Sequence, residues 1–390
     1  MKRVIITLLK CLIFTFSTAA LWVSCSNEDV PVQEGNSNNT LPGHMFMNMG
    51  VFVVCNGSIY QSIDGCLSYI DYVPSHQQTI EQDIYRKVNG KSLGDTPNDV
   101  IVYGEKVYVV GSDENCIFIL NVKNCKELKR VDTTTLLGDA EGRNPRRIAA
   151  YDGNVYFTTY GGYVAAIDTI DFGLQWDYKV GSAPEGLTFD VNSSTLYVAN
   201  SDWGYGDGSI SKIDLTTGDV TEIKHEKVMW PQEIAVSGDV LYVLDWGRYS
   251  DDWTQQVDAG VYMISGNDAR LVVPNATGMA AVGDIIYTYN DPWGGSGATY
   301  STYDIRSNSL STLNLNGDSF HRLISPCAIS VDLNAGKIYI ASRQLDPDTG
   351  EPSSVLPGFV NVYNSSGEFL ESFDTGVEPH KIEPCYGMPA

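Results

Sequence analysis

The feature that most constrains this chain is an internal repeat. "NPRRIAAYDGNVYFTTYGG" aligns with "APEGLTFDVNSSTLYVANSD", "WPQEIAVSGDVLYVLDWG", "TPNDVIVYGEKVYVVGSD" and "SPCAISVDLNAGKIYIASRQ". Each copy has a proline, two polar or small residues, a short apolar run, a turn, and a second run with an aromatic at its centre. The prolines are Pro97, Pro145, Pro184, Pro231 and Pro326. "ATGMAAVGDIIYTYND" is a sixth copy with Ala276 in the proline slot. Pro379, in "EPHKIEPCYG", opens a seventh and runs out of chain. A period of roughly 40 to 50 residues with short strands is the spacing of four-stranded propeller blades.

The second half of each repeat agrees. "GSISKIDLTTGDVTEI", "FVNVYNSSGEFLESF" and "CIFILNVKNCKELKRV" each read as strand, tight turn, strand. No segment sustains a helical period. The N-terminal copy opens at "GVFVVCNG", which matches the second strand of the repeat, while the C-terminus carries a spare first strand at Pro379 to Cys385. One ring closed by both ends accounts for both. The expectation is all-β: a seven-bladed β-propeller over 46–390, with the C-terminal strand joining the N-terminal blade and no open sheet edge left over. The motif "LYVAN" at 196–200 resembles the signature of the extracellular YVTN or surface-layer propellers.

Upstream, Lys2 and Arg3 precede an apolar stretch to about Val23, which reads as a signal peptide over 1–24. Small residues before Cys25 resemble a bacterial lipoprotein signal, which implies a lipidated Cys25. Residues 25–45 are polar and rich in Asn, Gly and Pro, and read as a flexible tether. Glu28 and Asp29 resemble the surface-export signal of some Gram-negative lipoproteins. The implied location is the outer membrane, lipid-anchored and surface-exposed. The six cysteines beyond Cys11 and Cys25 show no CxxC or Cys/His metal spacing. Cys55 ends one strand and Cys66 begins the next, so they are a disulfide candidate across a hairpin. The pairing of Cys116, Cys125, Cys327 and Cys385 stays open.

The net charge of −23 argues against a nucleic-acid partner, which needs a basic face. No phosphate-binding Gly-rich loop, GxSxG elbow or HExxH is present. Asp346, in "DPDTG", lies in a turn rather than a full calcium loop.

The strongest functional signal is aromatic. Asp-Trp-Gly recurs in "NSDWGYGDGS" and "LDWGRYSDDW", and loosely in "NDPWGGSG". In a propeller, the loop into each inner strand and the loop between the second and third strands share one face. That places Trp203, Trp246, Trp253 and Trp293 together, joined by Tyr160, Tyr205 and Tyr249. Asn56, Ser112, Asn200, Asp245 and Asn290 stand at the loop bases, and Arg147 can point up from an inner strand. Aromatics can also wedge between blades, but repetition beside glycine argues for exposure. A clustered aromatic face marks a binding site for a broad, flat ligand or a sugar.

A lipoprotein-like start, an acidic tether and a propeller with aromatic upper loops together resemble the cobalamin-capturing surface lipoproteins of the BtuG type. The resemblance implies vitamin B12 or a related corrinoid as ligand, a TonB-dependent outer-membrane transporter as partner, and no catalysis. Two other readings stay open. One is a glycan- or protein-binding surface module. The other is a lactonase-like metal enzyme using Asp99, Glu185, Glu233 and His380, acids that Arg146, Arg147 and Lys381 are placed to neutralise instead. On the first reading neither a catalytic cofactor nor a metal is expected.

Overall fold

A computed structural model describes residues 47–73, 78–250, 256–291, 297–317 and 321–387. The signal segment, Cys25, the tether, Trp253 and Trp293 lie outside the described residues. Those described form seven four-stranded antiparallel sheets, in meander order from the axis outward. The inner strands are Pro97–Tyr103, Pro145–Tyr151, Pro184–Asp190, Pro231–Ser237, Gly278–Val282 and Ser325–Asp332 for blades 2 to 7. Blade 1 takes its inner strand, Pro379–Gly387, from the far end of the chain. That strand pairs with Met47–Cys55, with Phe52 opposite Glu383 and Val53 opposite Ile382. The ring therefore closes as the two incomplete repeats require. A two-stranded ribbon, Arg248–Tyr249 with Gln256–Val257, is added within the blade 5 loop.

The repeat pattern has a direct structural cause. The central aromatic of the second strand fills the space between neighbouring sheets: Phe52, Tyr108, Tyr156, Tyr197, Tyr242 and Tyr339 are all buried, and Tyr287 of blade 6 is half-buried. Fully burying an apolar side chain of this size contributes about 1.5–3 kcal/mol. One core cluster joins Phe52, Val54 and Leu67 of blade 1 to Val100, Val109 and Phe118 of blade 2. Equivalent clusters follow round the ring.

Each inner proline opposes a residue at the end of the second strand: Pro97 with Gly111, Pro145 with Thr159, Pro184 with Asn200, Pro231 with Asp245, Pro379 with Cys55, and Pro326 with the penultimate residue Ser342. The register slips straight after the proline in all six. A bulge re-aims side chains, and here it turns the one or two residues after each proline toward the axis. Those residues are the polar pair of the repeat.

Two short helices, Ile84–Asn89 and Thr133–Leu137, sit in the loops entering blades 2 and 3. The sequence shows no period there because each helix is under two turns long. Both are set by their caps: Asp83 accepts from the Arg86 N–H at 3.0 Å and Asp132 from the Thr135 N–H at 2.7 Å.

Candidate functional site

The residues that follow the inner prolines build a polar ring at the mouth of the axis. Arg146 donates from Nη1 to Asn98 Oδ1 at 2.9 Å, and the Asn98 amide returns a bond to the Arg146 carbonyl at 2.8 Å. Nε of Arg146 is shared between both oxygens of Glu185, at 3.3 Å each. Arg147 pairs with Glu233 at 3.0 Å and approaches Glu185 at 3.9 Å. Lys381 lies 3.6 Å from Asp99. The attraction of Asp99 and Glu233 raises the Lys381 ammonium above its ordinary value. Three cations thus meet three carboxylates, with Glu185 and Asp99 buried and Glu233 and Lys381 partly open. Among the described residues no group of three or more His, Cys, Asp or Glu side chains is placed to hold a metal ion. Arg147 faces into this network, where its partners compensate a charge that burial alone would leave unpaired.

Above the ring, blades 3, 4 and 5 carry two groups of aromatic rings. Tyr160 and Trp203 lie with centroids 4.1 Å apart. Trp230 meets Trp246 edge-on at 5.3 Å and Tyr249 at 5.8 Å. The Trp203 loop rests on Trp230 through Gly204: a Cβ added there would come within 2.7 Å of the Trp230 ring, and its φ is +76°. This is why a glycine follows the tryptophan. Trp203 is 48% exposed and Tyr205 86%. Asp202 and Trp203 both have positive φ, +47° and +55°. For a bulky residue that conformation is strained, and such strain collects at functional sites.

Tyr160 links the aromatic set to the ring below. Its hydroxyl donates to Glu185, and the Arg146 guanidinium stacks over its ring at 4.6 Å. Burial first, and then the Glu185 charge, push the Tyr160 phenol well above its usual range, so it remains a donor.

Several residues expected at the surface serve the scaffold instead. Asp245 is fully buried and accepts from the N–H groups of Met229, Trp230 and Gly247 at 2.9, 3.0 and 2.7 Å. It orders the loop beneath Trp230, and burial raises its carboxyl to about 6. Asn200 is buried, its amide donating to Ser209 and Ser211. Ser112 is buried as well. Trp246 is a partial wedge: its indole N–H donates to the Thr277 carbonyl of the blade 6 entry at 2.9 Å, and its ring packs on the core between blades 5 and 6. Asn56, Asn200 and Asn290 each have a buried amide oxygen with no hydrogen-bond partner among the described residues. Cys55 and Cys66 oppose each other across their hairpin as free thiols, not as a disulfide.

Trp230 is the member that the aromatic reading overlooks. Its signal was present, since it immediately precedes Pro231 in a loop of the same face.

The fold and this face define a seven-bladed propeller with an aromatic loop surface. Residues 49–201, in blades 1 to 4, match the model of a domain of unknown function, DUF5074. No curated protein matches the chain. Among solved structures, a hypothetical selenium-binding protein from Sulfolobus tokodaii is similar over 88% of this chain and 94% of its own, with a TM-score of 0.64 at 12% identity. A putative 6-phosphogluconolactonase from Bacteroides uniformis is similar over 86% of this chain and 100% of its own, with a TM-score of 0.57 at 14% identity. Hydrazine synthase of Kuenenia stuttgartiensis is similar over 69% and 76%, with a TM-score of 0.51 at 14% identity. At these identities the likeness is one of fold.

Proposed function

We propose that this protein is a cell-surface lipoprotein, anchored through Cys25, that captures cobalamin or a related corrinoid on its loop face. It passes the ligand to a TonB-dependent outer-membrane transporter and catalyses no reaction. The observation that carries the reading is a pair of aromatic groups on three adjacent blades, Tyr160 with Trp203 and Trp230 with Trp246 and Tyr249, bridged by Gly204. A flat macrocycle matches an aromatic surface of that breadth, and a rigid scaffold keeps the ordering cost of binding low. Trp203 and Tyr205 supply the exposed contact, and Arg146 and Glu185 hold Tyr160 beneath them.

The lactonase-like alternative has less support, because each acid at the axis is engaged by Arg146, Arg147 or Lys381. The glycan alternative draws on the same exposed aromatics and is an outcome of the same test. That test titrates the purified protein with cyanocobalamin, followed by tryptophan fluorescence and by heat. Saturable one-to-one binding that weakens in Trp203→Ala supports capture. Absence of saturable quenching and heat at tens of micromolar protein would remove the corrinoid and favour a sugar or protein ligand.

A further inference from the structure

Across the mouth from the aromatic set, blades 6 and 7 and the closing junction carry groups of another kind. Arg343 ends the second strand of blade 7. Its guanidinium lies 3.7 Å from Asp291 and 3.6 Å from Glu378. Both are ion pairs at the longer end of the range, like that of Lys381 with Asp99. Nε of Arg343 donates to the Ser325 hydroxyl at 3.1 Å, which in turn donates to Asp291 at 2.9 Å. The guanidinium is therefore fixed by its inner edge while its outer N–H groups stand beside two carboxylates. The three side chains are 32%, 27% and 25% exposed, open enough to be reached and shielded enough to matter.

Glu378 precedes Pro379 and has φ +54°, the conformation that Thr96, Asn144 and Ala183 also take before the inner prolines of blades 2 to 4, so this turn belongs to the repeat. The Glu378 carbonyl takes the Asn56 N–H at 2.8 Å, which ties the junction to blade 1. Burial raises both the Asp291 and the Glu378 carboxyls, so each ionised oxygen gains from a further donor.

Donors and acceptors set side by side complement one group best. A carboxamide offers its oxygen to the guanidinium and its NH2 to a carboxylate. A ligand carboxylate would face Asp291 and Glu378, and a simple cation would face Arg343. We infer that Arg343, Asp291 and Glu378 form a carboxamide-binding subsite that holds the rim of a flat ligand whose face lies on the aromatic set. The inference rests on the capture reading above and adds to it the chemistry of the ligand's edge.

The test compares cyanocobalamin with its monocarboxylic acid derivatives, each with one side-chain amide hydrolysed, on the wild-type protein, Arg343→Met and Glu378→Gln. It is run in 1 M salt, where the Debye length is about 3 Å and the net charge of −23 no longer decides the result. The expected result is at least about tenfold weaker binding of one or more acids than of the amide. Both variants should lose about tenfold for the amide with their far-UV circular dichroism unchanged. Glu378→Gln keeps the side-chain shape, so it reads the contact even where Arg343→Met unfolds. If cyanocobalamin binds but every acid binds equally, or Glu378→Gln binds as wild type does, the subsite is wrong and capture stands. If cyanocobalamin does not bind at all, capture itself fails and the subsite with it.

Discussion

Arg147 and His380 meet over the ring axis, with Nη1 3.4 Å from Nε2, although 233 residues separate them in the chain. Arg147 belongs to blade 3 and His380 to the strand that closes blade 1. Burial, and then the charges of Arg147, Arg146 and Lys381, hold the imidazole well below its ordinary pKa. The ring is therefore neutral and accepts from the guanidinium. The same arginine pairs with Glu233 of blade 5, so one side chain ties three blades together across the axis.

Arg147→Met is accordingly expected to destabilise the protein by about 3–5 kcal/mol, because it leaves Glu185 and Glu233 facing each other with less compensation in a buried site. Arg147→Lys should recover only part of the loss, since an ammonium cannot span Glu233 and His380 as the planar fork does. Urea unfolding of the three proteins measures this. A wild-type midpoint for Arg147→Met would show that the axial network is not a tie.

Trp203 and Trp246 share a sequence motif and are expected to differ in behaviour. Trp203 is half exposed and strained, so Trp203→Ala should alter stability by less than about 1 kcal/mol. Trp246 is wedged between blades 5 and 6 with its N–H bonded, and Trp246→Ala should cost about 3 kcal/mol or more. Cyanocobalamin affinity should fall in both, and in Trp203→Ala with no more than that small change in unfolding. If the two variants are equally destabilised, the division into contact and wedge is wrong.

That contrast also marks how far the chain could be read unaided. Blade number and ring closure were legible because a repeat with one missing strand at each end has one solution. The shared face of the aromatic loops followed from strand order alone. Burial at the loop bases did not. Asp245 and Asn200 stand at the same repeat position as Gly111, Thr159 and Ser342, opposite an inner proline. What that position does depends on which backbone N–H groups converge on it, and convergence is a tertiary property. Arg147 was ambiguous for the same reason, since its partners come from blades 5 and 1.

The buried Asp245 carboxyl gives a pH signature. Its folded value of about 6 lies above the ordinary aspartate value of about 3.9. Burial outweighs the three N–H groups that it accepts from. The folded state thus holds the proton more tightly than the unfolded chain, and stability falls as pH rises from about 4 to about 6, then levels off. Over that window Asp245 should account for about 3 kcal/mol. The stability of wild type relative to Asp245→Asn, from unfolding at pH 4.5, 5.5 and 7, should decrease with rising pH. A difference constant with pH would mean that Asp245 titrates normally.

The Cys55 and Cys66 thiols face each other in register at the end of the blade 1 hairpin. A hydrogen bond with Cys55, together with burial, pushes the Cys66 thiol up and keeps it protonated. Gly376 lies against the pair: a Cβ there would come within 2.2 Å of the Cys66 sulfur. Space for the two sulfurs thus depends on a residue of blade 7. In an oxidising compartment, exchange with an oxidised dithiol is expected to join them, each thiol losing a proton and the donor disulfide taking up both electrons. Closing so short a loop should add about 2–3 kcal/mol. Thiol titration of the denatured protein after such exchange should find two fewer than the six described free cysteines, and peptide mapping should place the bond between residues 55 and 66. Six free thiols would leave the pair as packing alone. Gly376→Ala should slow the exchange and lower stability even in the reduced protein, because the added methyl displaces the sulfurs whether or not they are joined.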